Sequence, residues 1–364
     1  MGDDANRRSP APPRKPPTIY DVAEAAGVSH QTVSRLLKGD QGIKPANRER
    51  VLRALEELHY RPNMTARALA TSRSHRVAAL TQEIGLVGPG QIAQAAATEA
   101  RQRGFVLDVI TLDIEDSANV TEAIRLVNQQ DVAGILALAS TDELAAAFRD
   151  TEFHVPFFIA SDEDQLGDGD DPEGVVHALD HLAAHLKTLG HVNVLHVAGP
   201  LTRAAGRNRE RFVRKALDNH GLAFTYLVQG DWSARSGYEA VRTALQQVSF
   251  TAVIAANDQM AIGATRALLE AGFDVPGDVS VTGVDDIPES AYMTPPLTTI
   301  RLNFEMLGRN AFRGLLSEIT GEEIDLLHRP AELVVRESTG PVGRGTERAG
   351  ERRPSPRVAH SLPR

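Results

Sequence analysis

Residues 18–37, TIYDVAEAAGVSHQTVSRLL, decide how the fold begins and what its first module can touch. The segment predicts two short helices broken at Gly27-Val28-Ser29. Ile19, Val22, Ala23 and Ala26 fall at helical spacing on one apolar stripe, and Val33, Leu36 and Leu37 on another. Gly27 tolerates the backbone of a sharp turn, small Ala23 lets two helices approach closely, and Ser29 can cap the second helix. That helix presents His30, Gln31, Thr32, Ser34 and Arg35 outward from its N-terminal end. Such a row of hydrogen-bonding side chains is what a helix needs to read base edges in a major groove. A plain helical hairpin with a polar outer face is the competing reading, and the agreement of turn, stripe and polar row argues against it.

The flanks extend the same reading. A third amphipathic helix is expected from Pro45, a good first helical residue, with Val51, Leu52, Leu55 and Leu58 at helical spacing. Residues 1–76 carry 14 Lys/Arg against 8 Asp/Glu, whereas 77–340 carry 19 against 38. A basic head on an acidic body concentrates phosphate attraction where the recognition helix lies.

At 364 residues, 42% hydrophobic and 24% charged, the chain exceeds one ordinary domain and has the composition of a soluble globular protein. No apolar run has the length of a membrane span, and no signal-peptide core leads the chain. Cysteine is absent, which rules out disulfides and thiol chemistry and agrees with a cytoplasmic location; with a DNA-binding head, association with the nucleoid is expected. The expected organisation is a disordered basic arm over 1–17, a helix-turn-helix domain over 18–60 and a hinge helix with linker over 61–76. An effector-binding and dimerisation core follows over 77–340, then a disordered tail over 341–364. Within 61–76, Pro62 interrupts the third helix and Asn63 can cap a short helix with Ala66, Leu69 and Ala70 on one face. So short a helix forms only against a partner.

From Val77 onward, apolar runs alternate with helical segments. The runs are 77–81, 105–112, 132–139, 155–160, 192–199, 223–228, 251–257 and 279–286, and 91–103 and 235–247 are two of the helices. This is the signature of an α/β fold with parallel sheets covered on both faces, and ligands bind beyond the carboxyl ends of such strands. The loops there carry Gln82 and Glu83, Arg207 and Arg209, Asn257-Asp258 and Asp285-Asp286. The chain's only tryptophan, Trp232, sits in the turn GDWSARSGY. Amide, carboxylate and guanidinium groups bind vicinal hydroxyls, and an indole face suits the C–H face of a sugar ring. Each residue alone has a structural use, a helix cap or core packing; their conjunction points to a sugar site. Phosphate loops, dinucleotide fingerprints, nucleophile elbows and zinc-protease motifs are missing, so no catalytic residue and no cofactor is expected. His177, His181 and His185 lie on one helix face, but an uninterrupted helix splays the outer two, and a polar face is preferred to a metal site.

At this point the chain resembles the lactose-repressor family of bacterial transcription regulators, over about 18–339, and within it the lactose-repressor branch. YDVAEAAGVSHQTVSR, YRPNMTARALA, GPLTRAAGRNR, GDWSARSGY, ANDQMAIGA and PPLTTIR carry the likeness. The resemblance implies that His30, Gln31 and Arg35 read bases, and that Tyr20, Ser29, Thr32, Ser34, Tyr60 and Asn63 contact phosphate or brace the DNA. Leu69, with Ala66 beside it, matches the hinge position that enters the minor groove. Arg209, Asn257 and Asp285 match polar effector contacts, and Trp232, Phe304, Leu86 and Ile92 match apolar walls, with Gln82 beside them. The implied fold is a periplasmic-binding-protein-like core of two Rossmann-like subdomains. The N-subdomain covers 77–174 and 304–331, and the C-subdomain 175–303 and 332–340. Departures are Ala205 and Leu302, at positions polar in that branch, an ambiguous Ser161 or Asp162, and a stretch over 165–177 that fits as an insertion. The expected partners are a palindromic double-stranded DNA operator, a small sugar (a galactoside or other β-glycoside) and a second copy of the chain. Release of DNA by the sugar is the favoured reading and effector-enhanced binding the alternative. A free sugar-binding protein or an enzyme on the same body ranks well below both.

Overall fold

The computed structural model describes residues 17–37, 40, 42–60, 74–82, 84–112, 117–139, 142–161 and 174–343. The expectations for the arm up to residue 16, the tail beyond residue 343, Asn63, Ala66 and Leu69 lie outside the described residues, as does most of the 165–177 stretch; Val342, expected in the disordered tail, instead donates its N–H to the Leu189 carbonyl at 3.0 Å. The chain divides between Ser74 and His75 into two compact units.

The first unit holds α1 (Ile19–Ala26), α2 (His30–Leu37) and α3 (Pro45–Glu57). Thr18 and Asp21 form a reciprocal capping box at the start of α1. Gly27 ends α1 in the left-handed region, φ 60°, where its N–H meets the carbonyls of Ala23 and Glu24. Val22, Ala23, Ala26, Val33, Val51 and Ala54 form the buried centre. The expected third-helix stripe is corrected in one place: Leu52 is 48% exposed and Ala54 takes the inward position.

The second unit contains two sheets. The first comprises β1 (Arg76–Thr81), β2 (Val106–Thr111), β3 (Gly134–Ala139) and β4 (Phe157–Ser161) in the order β2-β1-β3-β4, all parallel. Its helices are α4 (Val87–Gln102), α5 (Ser117–Asn128) and α6 (Asp142–Arg149). The second sheet comprises β5 (Asn193–Ala198), β6 (Ala223–Gln229), β7 (Ala252–Ala255), β8 (Ser280–Asp285), β9 (Thr298–Arg301) and β10 (Glu332–Val334). Its order is β10-β9-β8-β7-β5-β6, and β10 runs antiparallel to β9, so this sheet is not wholly parallel. Helices α7 (Val175–Thr188), α8 (Ala204–Asn219), α9 (Ala234–Ala244) and α10 (Asp258–Glu270) belong with it, and α11 (Phe304–Thr320) returns to the first sheet.

Alternate residues of a strand point to opposite faces, and here both faces are covered. Val77 and Ala79 of β1 enter one core while Ala78 and Leu80 enter another. Leu195 and Val197 of β5 lie on one side of the second sheet, and Val194 on the other. Leu302 packs against a core of each sheet, just before α11 crosses between them. Both strand orders reverse beside their first strand, between β1 and β3 and between β5 and β7, which is where crevices open in such sheets.

Candidate functional site

A cavity of about 250 Å³ lies at that crevice, and both sheets contribute to its walls. The end of β1 supplies Thr81 and Gln82, and the turn into α4 supplies Leu86, Gly88 and Ile92. Leu138 and Ala160 come from β3 and β4, and Phe304 opens α11. The second sheet supplies Arg203, Ala205 and Arg209 around α8, Trp232 and Ser233 before α9, Asn257 and Gln259 after β7, and Asp285 at the end of β8. All eight residues expected to meet an effector therefore line one cavity: Gln82, Leu86, Ile92, Arg209, Trp232, Asn257, Asp285 and Phe304.

The chemistry is asymmetric. Apolar Leu86, Ile92, Leu138, Ala160 and Phe304 come from the first sheet's side, with Thr81 and Gln82 its polar members, and the charged groups with Asn257 and Gln259 cluster on the second. Arg209 donates from Nη2 to Asp285 Oδ1 at 3.2 Å and from Nη1 to the Ala256 carbonyl. Its Cζ stands 5.3 Å from the Trp232 ring centroid, a cation–π approach. Burial pushes Asp285 up to about 7, against the downward pull of Arg209. Trp232 holds a left-handed backbone, φ 72°, and Asp285 and Asp286 have φ of 115° and 55°. Such angles disfavour side-chain-bearing residues and persist only where the surroundings hold them. Asn257 is one such restraint. Its Nδ2 donates to the Trp232 carbonyl at 3.0 Å and to Gln259 Oε1 at 2.9 Å, while its Oδ1 caps α10 through the Met260 N–H. Cap and cavity residue are thus one side chain.

Three residues expected in these loops turn elsewhere. Asp258 is buried and accepts from the Ile287 N–H and the Ser290 and Thr299 hydroxyls, and burial raises it to about 6. Asp286 faces Arg301 and Arg336 at 2.7 and 2.6 Å. Arg207 bonds the Leu201 carbonyl and does not line the cavity. Sequence reading passed over Gln259 and Arg203, and Gln259 could have been found, since it stands two residues beyond Asn257 at a helix start. His177 and His181 pack together at 4.2 Å between ring centroids, whereas His185 turns to the Thr339 hydroxyl at 3.0 Å.

In the head, His30, Gln31 and Arg35 are exposed on α2, and Tyr20, 64% exposed, lies 5.1 Å from the His30 ring. Ser29 accepts from the Thr32 N–H at 3.3 Å, the expected cap, and the two hydroxyls are 3.0 Å apart. Ser34 is half-buried on α2, and Tyr60 packs against the head's core.

Residues 18–63 match the family of bacterial regulatory proteins called lacI, and 183–339 match a periplasmic binding protein-like domain. The lactose operon repressor of Escherichia coli (strain K12) is 34% identical over 334 residues, 89% of this chain and 91% of that protein. The solved lac repressor dimer bound to operator and the anti-inducer ONPF superposes with a TM-score of 0.76 at 33% identity, covering 90% of this chain and all of that one. A CelR–cellobiose complex superposes at 0.63 with 30% identity, covering 88% and 99%. With the helical head, the two doubly wound sheets and this extent of likeness, the chain belongs to the lacI family of bacterial regulatory proteins.

Proposed function

We propose that the chain is a sequence-specific DNA-binding transcriptional repressor, cytoplasmic and acting on the nucleoid as a homodimer, released from a palindromic operator by a small sugar in the core cavity. The observation that carries the sugar reading is the convergence of Arg209, Asp285, Asn257 and the Trp232 indole on one side of a cavity whose other side is mainly apolar, with Gln82 beside it. Directed polar groups beside a flat ring suit a glycoside, hydroxyls to the second sheet and the less polar end to Leu86, Ile92 and Phe304. A galactoside or other β-glycoside is the favoured class. The cavity groups orient and stack a ligand, so binding rather than turnover is assigned to the site.

The head supports the DNA reading through exposed His30, Gln31 and Arg35 on a short helix set by Gly27 and Ser29. In a two-fold dimer, two such helices meet the half-sites of an inverted repeat. Residues 75–161 and α11 form one subdomain and 174–301 with β10 the other, joined near Leu302. A sugar touching both walls favours one arrangement of the two subdomains, and operator and sugar then weaken each other by the same factor.

The test uses the single tryptophan. Intrinsic emission is titrated with galactosides, β-glucosides including cellobiose, pentosides and nucleosides. A saturable shift with a β-glycoside supports the assignment. Saturable shifts only with nucleosides, or silence across the panel from folded protein, would remove it.

A further inference from the structure

The head holds Arg35 in a specific way. Arg35 stands in the last turn of α2, and its Nε donates to Asp40 Oδ2 at 2.7 Å. The other carboxylate oxygen, Oδ1, accepts the Gly42 N–H at 2.7 Å, so the acid is anchored to the backbone of the following loop. The Asp40 N–H in turn reaches the Arg35 carbonyl at 3.1 Å. A Cβ added at Gly42 would stand 3.1 Å from Asp40 Oδ1 and 3.2 Å from Arg35 Nη2, so the loop backbone abuts both partners. Both side chains remain solvent-accessible, 56% and 36% exposed.

We propose that Asp40 is a specificity-determining residue of the head, one that positions the Arg35 guanidinium for bidentate contact with a guanine in each operator half-site. The inference rests on the assignment of Arg35 as a base reader. An exposed ion pair adds little to folding stability, and a carboxylate beside a DNA-facing arginine opposes phosphate. The pair therefore needs another use. A guanidinium carries five N–H donors in a fixed fork. Engaging Nε leaves donors on Nη1 and Nη2, the fork that matches guanine O6 and N7. Fixing the long side chain before contact removes its freedom to swing toward a phosphate, and the neighbouring negative charge cancels its generic attraction to DNA. Asp40 thus exchanges non-specific affinity for discrimination at one base pair.

Selection from a randomised inverted-repeat duplex library, read by sequencing, tests this with the full chain. The variants are Arg35→Ala, Asp40→Asn and Asp40→Ala. Wild type selects guanine at a position that Arg35→Ala frees. Asp40→Asn lowers the preference for that guanine by about tenfold and spares the other positions. The same variant binds unselected DNA severalfold more tightly at low salt. Asn keeps the size of the side chain and an oxygen for the Gly42 N–H, so loss of fold does not enter; Asp40→Ala changes the preference in the same direction. Unchanged guanine preference in both Asp40 variants, or uniform weakening at every position, overturns the proposal. Unchanged selection by Arg35→Ala overturns the base-reading assignment, and the role of Asp40 with it.

Discussion

Gly199 follows β5 and lies against the face of Trp232, so Gly199→Ala is the sharpest single perturbation of the cavity. An added Cβ would fall 2.5 Å from both Cζ2 and Cζ3 of the indole and closer still to Cη2. Carbon atoms pack at ~3.5–4.0 Å, so the ring edge has to withdraw by roughly 1 Å. Little else can yield, because the Trp232 backbone sits at φ 72° and its carbonyl is held by Asn257 at 3.0 Å. Overpacking of this kind costs about 1–3 kcal/mol, equivalent to ~2–10 °C in melting temperature for a unit of this size. A shift of that order also forfeits roughly a quarter to a half of the attraction at each displaced stacking contact. Thermal melting and the emission spectrum of the sole tryptophan read both consequences. The expected outcome is a lower melting temperature, a shifted emission maximum and weakened binding of any sugar that perturbs Trp232. An unchanged spectrum together with an unchanged melting temperature would refute the packing argument.

Other outcomes follow from the same geometry. Because Asp285 is raised to about 7, a sugar hydroxyl finds its carboxylate acceptor above that pH; affinity should be flat above about 8 and fall toward tenfold per unit below 7. The sign for folding is opposite: the raised group, like Asp258, adds stability that is fully present below its ordinary value of 3.8 and is lost progressively as pH rises to about 6 for Asp258 and about 7 for Asp285. Sugar titrations from pH 5 to 9 check the first statement, and a flat profile removes Asp285 from the contact. Glu99 is buried between α4 and α11, 2.9 Å from Arg313, 3.4 Å from Arg103 and 3.7 Å from Arg309. Glu99→Ala should cost about 1–3 kcal/mol in denaturant unfolding, since the partly buried Arg309 and Arg313 lose their shared carboxylate acceptor; a loss below about 0.5 kcal/mol would show that water replaces it. Leu69→Ala should lose specific operator affinity while keeping non-specific binding, measured by anisotropy on selected and scrambled duplexes; equal operator affinity would end the hinge reading.

The parts legible in the sequence were those whose signal is periodic or local. Eight strands were visible because alternate residues of each enter two different cores, so apolar side chains dominate every run. Strand β9 was not among them: Thr298 and Thr299 are buried with their hydroxyls bonded to Thr339 and Asp258, a polar interior that composition does not reveal. In the head, Val51, Ala54, Leu55 and Leu58 keep strict helical spacing on the inward stripe, and Leu52, one residue after Val51, falls off it; side-chain size, not spacing, had favoured Leu52 over Ala54. The cavity residues were legible because strand ends converge in this architecture. Asp286 was not separable from Asp285 by spacing, since successive positive φ values at 285 and 286 set where each carboxylate turns, and Asp258 was drawn away by the Ile287 N–H and the Ser290 and Thr299 hydroxyls. The Arg35–Asp40 pair was equally hidden, being set by the fold of a loop rather than by a helical repeat.

On the proposed reading, a sugar bound beside Trp232 is expected to change how the head holds DNA. The direct measurement is fluorescence anisotropy of a selected palindromic duplex with the full chain, with and without a saturating sugar identified by Trp232 emission. Weaker operator binding is expected with sugar, and sugar affinity reduced by the same factor when operator is present. Operator affinity that stays the same, or tightens, while the Trp232 shift shows the site filled would contradict it.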